Sequence, residues 1–97
     1  MSLSPVVAND DVLIRAKAAL WRAGEFGVVV LAPGAASPVI LEGTGSDLWE
    51  LLARPSTRQE LVLSLAKRFF EDVSVVDTDM SPVLEQLLYL GIVETQP

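Results

Sequence analysis

The stretch Ser37 to Gly45, S-P-V-I-L-E-G-T-G, carries the chemistry this chain can offer, and that chemistry belongs to the backbone. Pro38-Val39-Ile40-Leu41 reads as a short apolar strand that ends in a Gly-rich turn and passes into a helix at Leu48-Trp49. Proline cannot donate to a ladder, so a strand that opens on one usually lies at a sheet edge. An edge presents unpaired N–H and C=O groups, which an extended peptide can satisfy. The same residues also suit an ordinary buried strand, and the rest of the chain has to decide between the two.

Side-chain chemistry is sparse. The sequence has no histidine and no cysteine. A serine triad, a zinc-bound water or a histidine base needs histidine or a cluster of metal ligands. Without cysteine there is also no disulfide framework and no thiolate metal site. Asp77 and Asp79 are two apart, but the D-x-D-x-D-G pattern with its distant Glu does not follow, so they read as helix-capping residues. Gly43-Thr44-Gly45 is not followed by G-K and is too short for a phosphate loop. Asp10 and Asp11 read as solvated charges. No catalytic residue, metal ligand or cofactor emerges, and the chain is expected not to be an enzyme.

Composition points the same way. A chain of 97 residues is expected to make one small domain, residues 1–97, with residues 1–10 as a loose tail. A domain of that size buries roughly two thirds of its unfolded surface. Hydrophobic residues make up 51% of it, and the mean hydropathy is +0.42. So small a core hides only part of that, which leaves apolar surface for a partner or for a second copy of the chain. The net charge of −6 repels nucleic acid and anionic membranes. The longest apolar run, Val28 to Ala32, is far too short to span a bilayer. No secretory signal is visible, so a cytoplasmic location is the expectation.

The elements that must position Ser37 to Gly45 can be read in order. Val12 to Lys17 suits a first strand, and Ala18 to Trp21 either extends it or forms a second short piece. Ala23-Gly24-Glu25 is turn chemistry. Phe26 to Leu31 is β-branched and apolar on both faces, as a central strand should be. Ala32 to Ala36 forms a loop, and Ser37 to Glu42 returns as the third strand of an antiparallel meander. A first helix follows over Ser46 to Ala53, with Thr44 or Ser46 as its N-cap, and Arg54-Pro55 ends it. Thr57-Arg58-Gln59-Glu60 is a capping box that opens a second helix to about Phe70, with Leu61, Val62, Leu65, Ala66 and Phe69 on one face. Glu71 to Val76 reads as a linker or a wing-like extended piece. A third helix starts between Asp77 and Ser81 and runs to Leu90, which would put Pro82 in its first turn. Gly91-Ile92 suits a left-handed C-terminal cap with a hydrophobic contact.

The third helix has more apolar positions than one stripe requires. Met80, Leu84, Leu87, Leu88 and Gly91 make a core-facing set, and Val83, Leu87 and Leu90, with Tyr89 at the margin, widen it. Either the fold encloses this helix from two sides, or the extra face forms a groove wall beside the edge strand. The fold class is therefore α+β and winged helix-turn-helix-like, a three-stranded antiparallel sheet followed by three helices. That class raises DNA binding and a transcription regulator. However, residues Asp77 to Leu90 contain no Lys or Arg and leave Gln86 as the only base reader, which argues against DNA.

The order of apolar strand, L-E-G-T-G, L-W-E-L-L, T-R-Q-E-L-V, a D-M pair and L-E-Q-L-L-Y-L-G-I-V resembles the PqqD-like peptide-recognition domains of ribosomally made, modified peptide pathways. The likeness runs from about Val12 to Val93. The terse A-R-P-S-T connector, without a Cys-Asp-Gly, is most similar to the stand-alone leader-binding proteins of lasso-peptide biosynthesis. Many relatives have Asn where this chain has Glu42. The resemblance implies a binding protein that takes a precursor's leader peptide as a fourth strand and presents it to a leader protease and a cyclase. An alternative within the family is a peptide chaperone for a radical enzyme. Carried over to this sequence, the resemblance implies a pairing strand Pro38, Val39, Ile40 and Leu41, with a groove wall of Val83, Leu87 and Leu90 and Gln86 beside them. An unoccupied edge also pairs with its own kind, so a homodimer through the strand edge is a further expectation.

Overall fold

The computed structural model describes residues 7–96. Strand β3 (Val28–Leu31) is the run V-V-V-L, with Val28 and Val30 buried and its other two residues half-buried. It sits in the middle of an antiparallel sheet between β2 (Leu20–Ala23) and β4 (Val39–Leu41). Val29 pairs with Arg22 on one side and Ile40 on the other. The three-stranded antiparallel sheet and three helices form the α+β fold expected from the sequence.

The first strand differs from the expectation. Val12 to Lys17 does not open the meander. Residues Val12–Arg15 form β1, which pairs antiparallel with β6 (Val93–Gln96) and with the two-residue β5 (Ser56–Thr57) in a second small sheet. The meander instead begins at Leu20, and all four residues of β2 are exposed. No local pattern could reveal this, because β1 finds its partner at the far end of the chain. Nor are all the residues read as a loose tail free. Met1 to Val6 lie outside the described residues, but the Asn9 carbonyl accepts from the Gln59 amide at 3.1 Å and its side-chain oxygen from Arg58 at 3.0 Å. Val7 packs on the core.

Helix α1 (Gly43–Leu51) starts earlier than expected. Its N-cap is Glu42, whose side chain makes no capping bond, rather than Thr44 or Ser46. The Glu42 carbonyl accepts from the Gly45 amide at 3.1 Å, so β4 passes directly into the helix. Helix α2 (Arg58–Phe69) has the expected capping box. Thr57 Oγ1 accepts from the Glu60 amide at 3.1 Å, and Glu60 Oε1 accepts from the Thr57 amide at 2.8 Å. Those bonds hold the Glu60 carboxyl below its ordinary pKa. Leu61, Val62, Leu65 and Ala66 are buried, while Phe69, at the end of the helix, is 51% exposed.

The largest departure is helix α3, which spans Val73–Tyr89. Glu71 to Val76 is therefore not an extended linker. Asp72 is the N-cap and accepts from the Ser74 amide at 3.2 Å. Pro82 consequently lies inside the helix rather than in its first turn. Proline there removes the bond to the Thr78 carbonyl, at a cost of about 3 kcal/mol. Thr78 is exposed, so water can take that bond instead. Burial of Val76, Met80, Leu84 and Leu87 along one stripe outweighs the local signal. The helix ends as expected: Gly91 has φ +76°, its amide donates to Leu88 O at 3.1 Å, and Ile92 donates to Leu87 O at 3.2 Å. This is a Schellman cap with Ile92 fully buried.

One hydrophobic cluster joins both sheets to the helices, with Trp49, Leu48, Leu13, Met80 and Ile92 at its centre. Arg15 ties the sheets to α1. Its guanidinium lies 4.8 Å from the Trp21 ring and 4.5 Å from the Trp49 ring, and its Nε and Nη2 donate to the Trp49 carbonyl at 2.9 and 2.7 Å. A lysine cannot make that planar, forked contact. Arg15→Lys should therefore lower the stability by about 1–2 kcal/mol in denaturant unfolding.

Gly27 is required by close approach rather than by backbone angle. A Cβ there would collide with the Leu41 carbonyl. At Gly24 an added Cβ would have only an ordinary contact at 3.5 Å. Gly27→Ala should cost about 1–3 kcal/mol through displacement of β4, while Gly24→Ala stays within about 0.5 kcal/mol of the parent. Equal losses in thermal melts of the two variants would contradict this account of Gly27.

Candidate functional site

The outer side of β4 has no strand partner among the described residues. Two observations fix which of its backbone groups face outward. The Gly24 amide donates to Gly27 O at 2.7 Å, so the polar groups of Gly27 point toward β2. Direction alternates along a strand, so those of Val28 and Val30 point toward β4, to their partners Leu41 and Val39. Independently, the Leu41 carbonyl stands against the α-carbon of Gly27, on the β3 side. The N–H and C=O of Ile40 are therefore the pair left on the open edge. The same alternation turns Pro38 outward, where its missing N–H takes nothing from the sheet.

Beside this edge runs a cleft of about 630 Å³ between β4 and the C-terminal half of α3. Val39, Ile40 and Leu41 line one wall, and Val83, Gln86, Leu87 and Leu90 line the other. The structure thus brings together the residues expected from the sequence, with one exception. Pro38 is exposed just ahead of β4 and is not part of the cleft wall. Leu41 and Leu87 are buried and belong to the floor. Ile40 takes part differently from its neighbours. Side chains alternate along a strand, so its side chain, 67% exposed, lies on the face opposite Val39 and Leu41.

Four further residues line the cleft: Glu42, Thr44, Gly45 and Pro82. Gly45 is buried, and a Cβ there would meet Leu41 Cδ2 at 3.8 Å and Val83 Cγ1 at 3.9 Å. Its lack of a side chain keeps the space between strand and helix open. The sequence signal for Gly45 was the G-T-G turn. Pro82 gave no such signal, because the helix appeared to start later. Glu42 is the one ionisable residue in the lining. The cleft can thus supply main-chain hydrogen bonds from an edge and apolar contact from a helix. Among the described residues, no group of acidic side chains could hold a metal ion, and no helix is long and apolar enough to cross a membrane.

The family described as Coenzyme PQQ synthesis protein D (PqqD) matches residues 27–93, from β3 to the start of β6. The chain belongs to the PqqD family. Every residue lining the cleft lies inside the matched span. A solved solution structure, the PqqD truncation of Methylobacterium extorquens PqqCD, is similar with a TM-score of 0.73. The similarity covers 92% of this chain and 95% of that one at 20% identity, so the two share a fold. That protein is described as a functional, stand-alone recognition element for ribosomally synthesized and post-translationally modified peptides. No curated protein matches the chain.

Amide hydrogen exchange checks the edge assignment. The Val39 and Leu41 amides, bonded to β3, should be protected, and the Ile40 amide between them should exchange rapidly. Protection at Ile40 with rapid exchange at both neighbours would invert the assignment.

Proposed function

We propose that the β4 edge and the cleft beside it capture the leader of a ribosomally made precursor peptide as an added strand. The observation that carries this reading is an open edge at Ile40 beside an apolar cleft, in a chain of the PqqD family. The described function of the Methylobacterium extorquens domain supports it. In this reading the protein is a non-catalytic cytoplasmic adaptor. It holds the leader while a leader protease and a cyclase act, as in lasso-peptide biosynthesis. The alternative reading is a peptide chaperone for a radical enzyme, and the family description, which names coenzyme PQQ synthesis, supports that pathway. A neighbouring short precursor gene beside a protease and a cyclase, rather than a radical enzyme, distinguishes the two.

The energetics explain why both edge and cleft are needed. Each main-chain hydrogen bond contributes about 1 kcal/mol net, and fixing each residue of a flexible leader costs about 1–2 kcal/mol. Backbone pairing alone therefore leaves little affinity. Apolar side chains of the leader, at about 1.5–3 kcal/mol each when well buried, supply the surplus. Val39, Val83 and Leu90 are half-buried before any guest arrives and would be covered by one.

The orientation of Ile40 gives a sharp test. Ile40→Pro removes the outward N–H and obstructs a fourth strand, but it removes no bond to β3. Calorimetry with the leader encoded beside this gene should show at least about tenfold weaker binding for Ile40→Pro and for Val39→Asp. Ile40→Ala should bind nearly as the parent does, and all three should keep the native circular dichroism. Unchanged affinity in both Ile40→Pro and Val39→Asp would reject the edge as the binding site.

A further inference from the structure

A second cleft of about 370 Å³ lies at the corner where α2 turns into α3. Leu65, Phe69, Val76 and Met80 give it an apolar lining, and Glu71 and Asp79 stand in its wall. Both carboxylates are on exposed residues, and among the described residues neither forms an ion pair. Thr44 lines this cleft and the β4 cleft alike. The two are also joined along α3. Val76, Met80 and Asp79 belong to the second cleft, Val83, Gln86 and Leu90 to the first, and these positions follow one another at helical spacing. The stripe is about 20 Å long, which an extended peptide covers in about seven residues.

Val75, which lines the second cleft, is 45% exposed, and Phe70 and Val73, within two residues of lining positions in the sequence, are 96% and 43% exposed. Phe70 also holds a left-handed backbone with φ +53°, which costs a non-glycine residue about 1–2 kcal/mol. Glycine would close the helix there without strain and without exposing a ring.

We propose that the second cleft is an extension of the leader site, taking an apolar residue of the same peptide together with an adjacent Lys or Arg. This rests on the leader-capture reading above. Continuity through Thr44 and along α3 assigns the occupant. The unpaired carboxylates over an apolar floor, on a chain of net charge −6, assign its chemistry. Direction follows from topology. The sheet is antiparallel throughout, and the preference for purely antiparallel sheets favours a fourth strand antiparallel to β4. Its N-terminal side then leaves the edge at Glu42 and Thr44 and enters the second cleft. The apolar-basic residues thus lie about three positions N-terminal to the segment paired with Ile40.

The experiment is a display selection of random peptides, at least twice as long as the stripe, against the intact protein and against the double variant Glu71→Lys/Asp79→Lys. Both substitutions are on the surface, away from the β4 cleft. The parent should enrich an apolar anchor motif with an apolar-basic pair upstream of it. The double variant should keep the anchor and lose the basic preference. In calorimetry, replacing the basic residue of a selected peptide with alanine should weaken binding about fivefold for the parent and leave it unchanged for the double variant. An anchor motif without an upstream basic preference, or a preference that survives in the double variant, overturns the extension and leaves leader capture standing. Failure to enrich any motif that Ile40→Pro abolishes overturns leader capture, and the extension with it.

Discussion

The contact between Gly27 and the Leu41 carbonyl sets the phase of the whole β2–β3–β4 sheet. With any side chain at residue 27, β4 could not lie where it does. Given that approach, the pleat permits no choice: Val39 and Leu41 spend their backbone groups on β3, and Ile40 keeps its own for the outside. The side chains follow the complementary rule. Val39 and Leu41 turn toward α3 and the core, while Ile40 turns to the far face. One residue thus supplies the free hydrogen bonds and its two neighbours supply the apolar surface.

Helix α3 carries the other half of the design. Its buried stripe of Val76, Met80, Leu84 and Leu87 anchors it in the core strongly enough to tolerate a proline in its middle. Val83, Gln86 and Leu90 then line the cleft beside β4, with Val83 and Leu90 also resting against the edge of the core. Gly45 leaves open the space between Leu41 and Val83 that a side chain there would occupy. Part of the apolar surface that a small core cannot hide thus lies along one helix face and the edge beside it, while Leu20, Trp21, Phe26 and Leu63 are exposed elsewhere.

Part of the chain's acidic surplus stands beside the two clefts. Glu42, Asp79 and Glu71 lie along the path that joins the two clefts, and none of them is neutralised by an ion pair among the described residues. The ion pairs that do form lie elsewhere: Arg58 with Asp77 where α2 meets α3, and Arg68 with Asp47 and Glu50 between α2 and α1. Acidic residues are thus unpaired beside the clefts, as are Glu25, Glu85 and Glu94 elsewhere among the described residues, and are matched where helices pack.

Much of this was legible in the residues. The T-R-Q-E box and the G-I cap act through bonds within a few residues of themselves, and the V-V-V-L run and the proline-opened edge are patterns of residue type that mark a central and an edge strand without naming their partners. Val39, Ile40, Leu41, Val83, Leu87 and Leu90 could be named because an edge signature and an overly apolar helix coexist in one short chain, whereas Gln86 came only with the family resemblance. What the tertiary structure alone decided is long-range. Val12–Arg15 left the meander because its partner, Val93–Gln96, lies at the opposite end of the chain. Residues 73–76 became helix because burial of Val76 and Met80 outweighed their β-branched preference and the proline beyond them. The outward turn of Ile40 came from a contact between Gly27 and Leu41. Pairing register and burial are properties of two segments together, and neither is written in the residues of one.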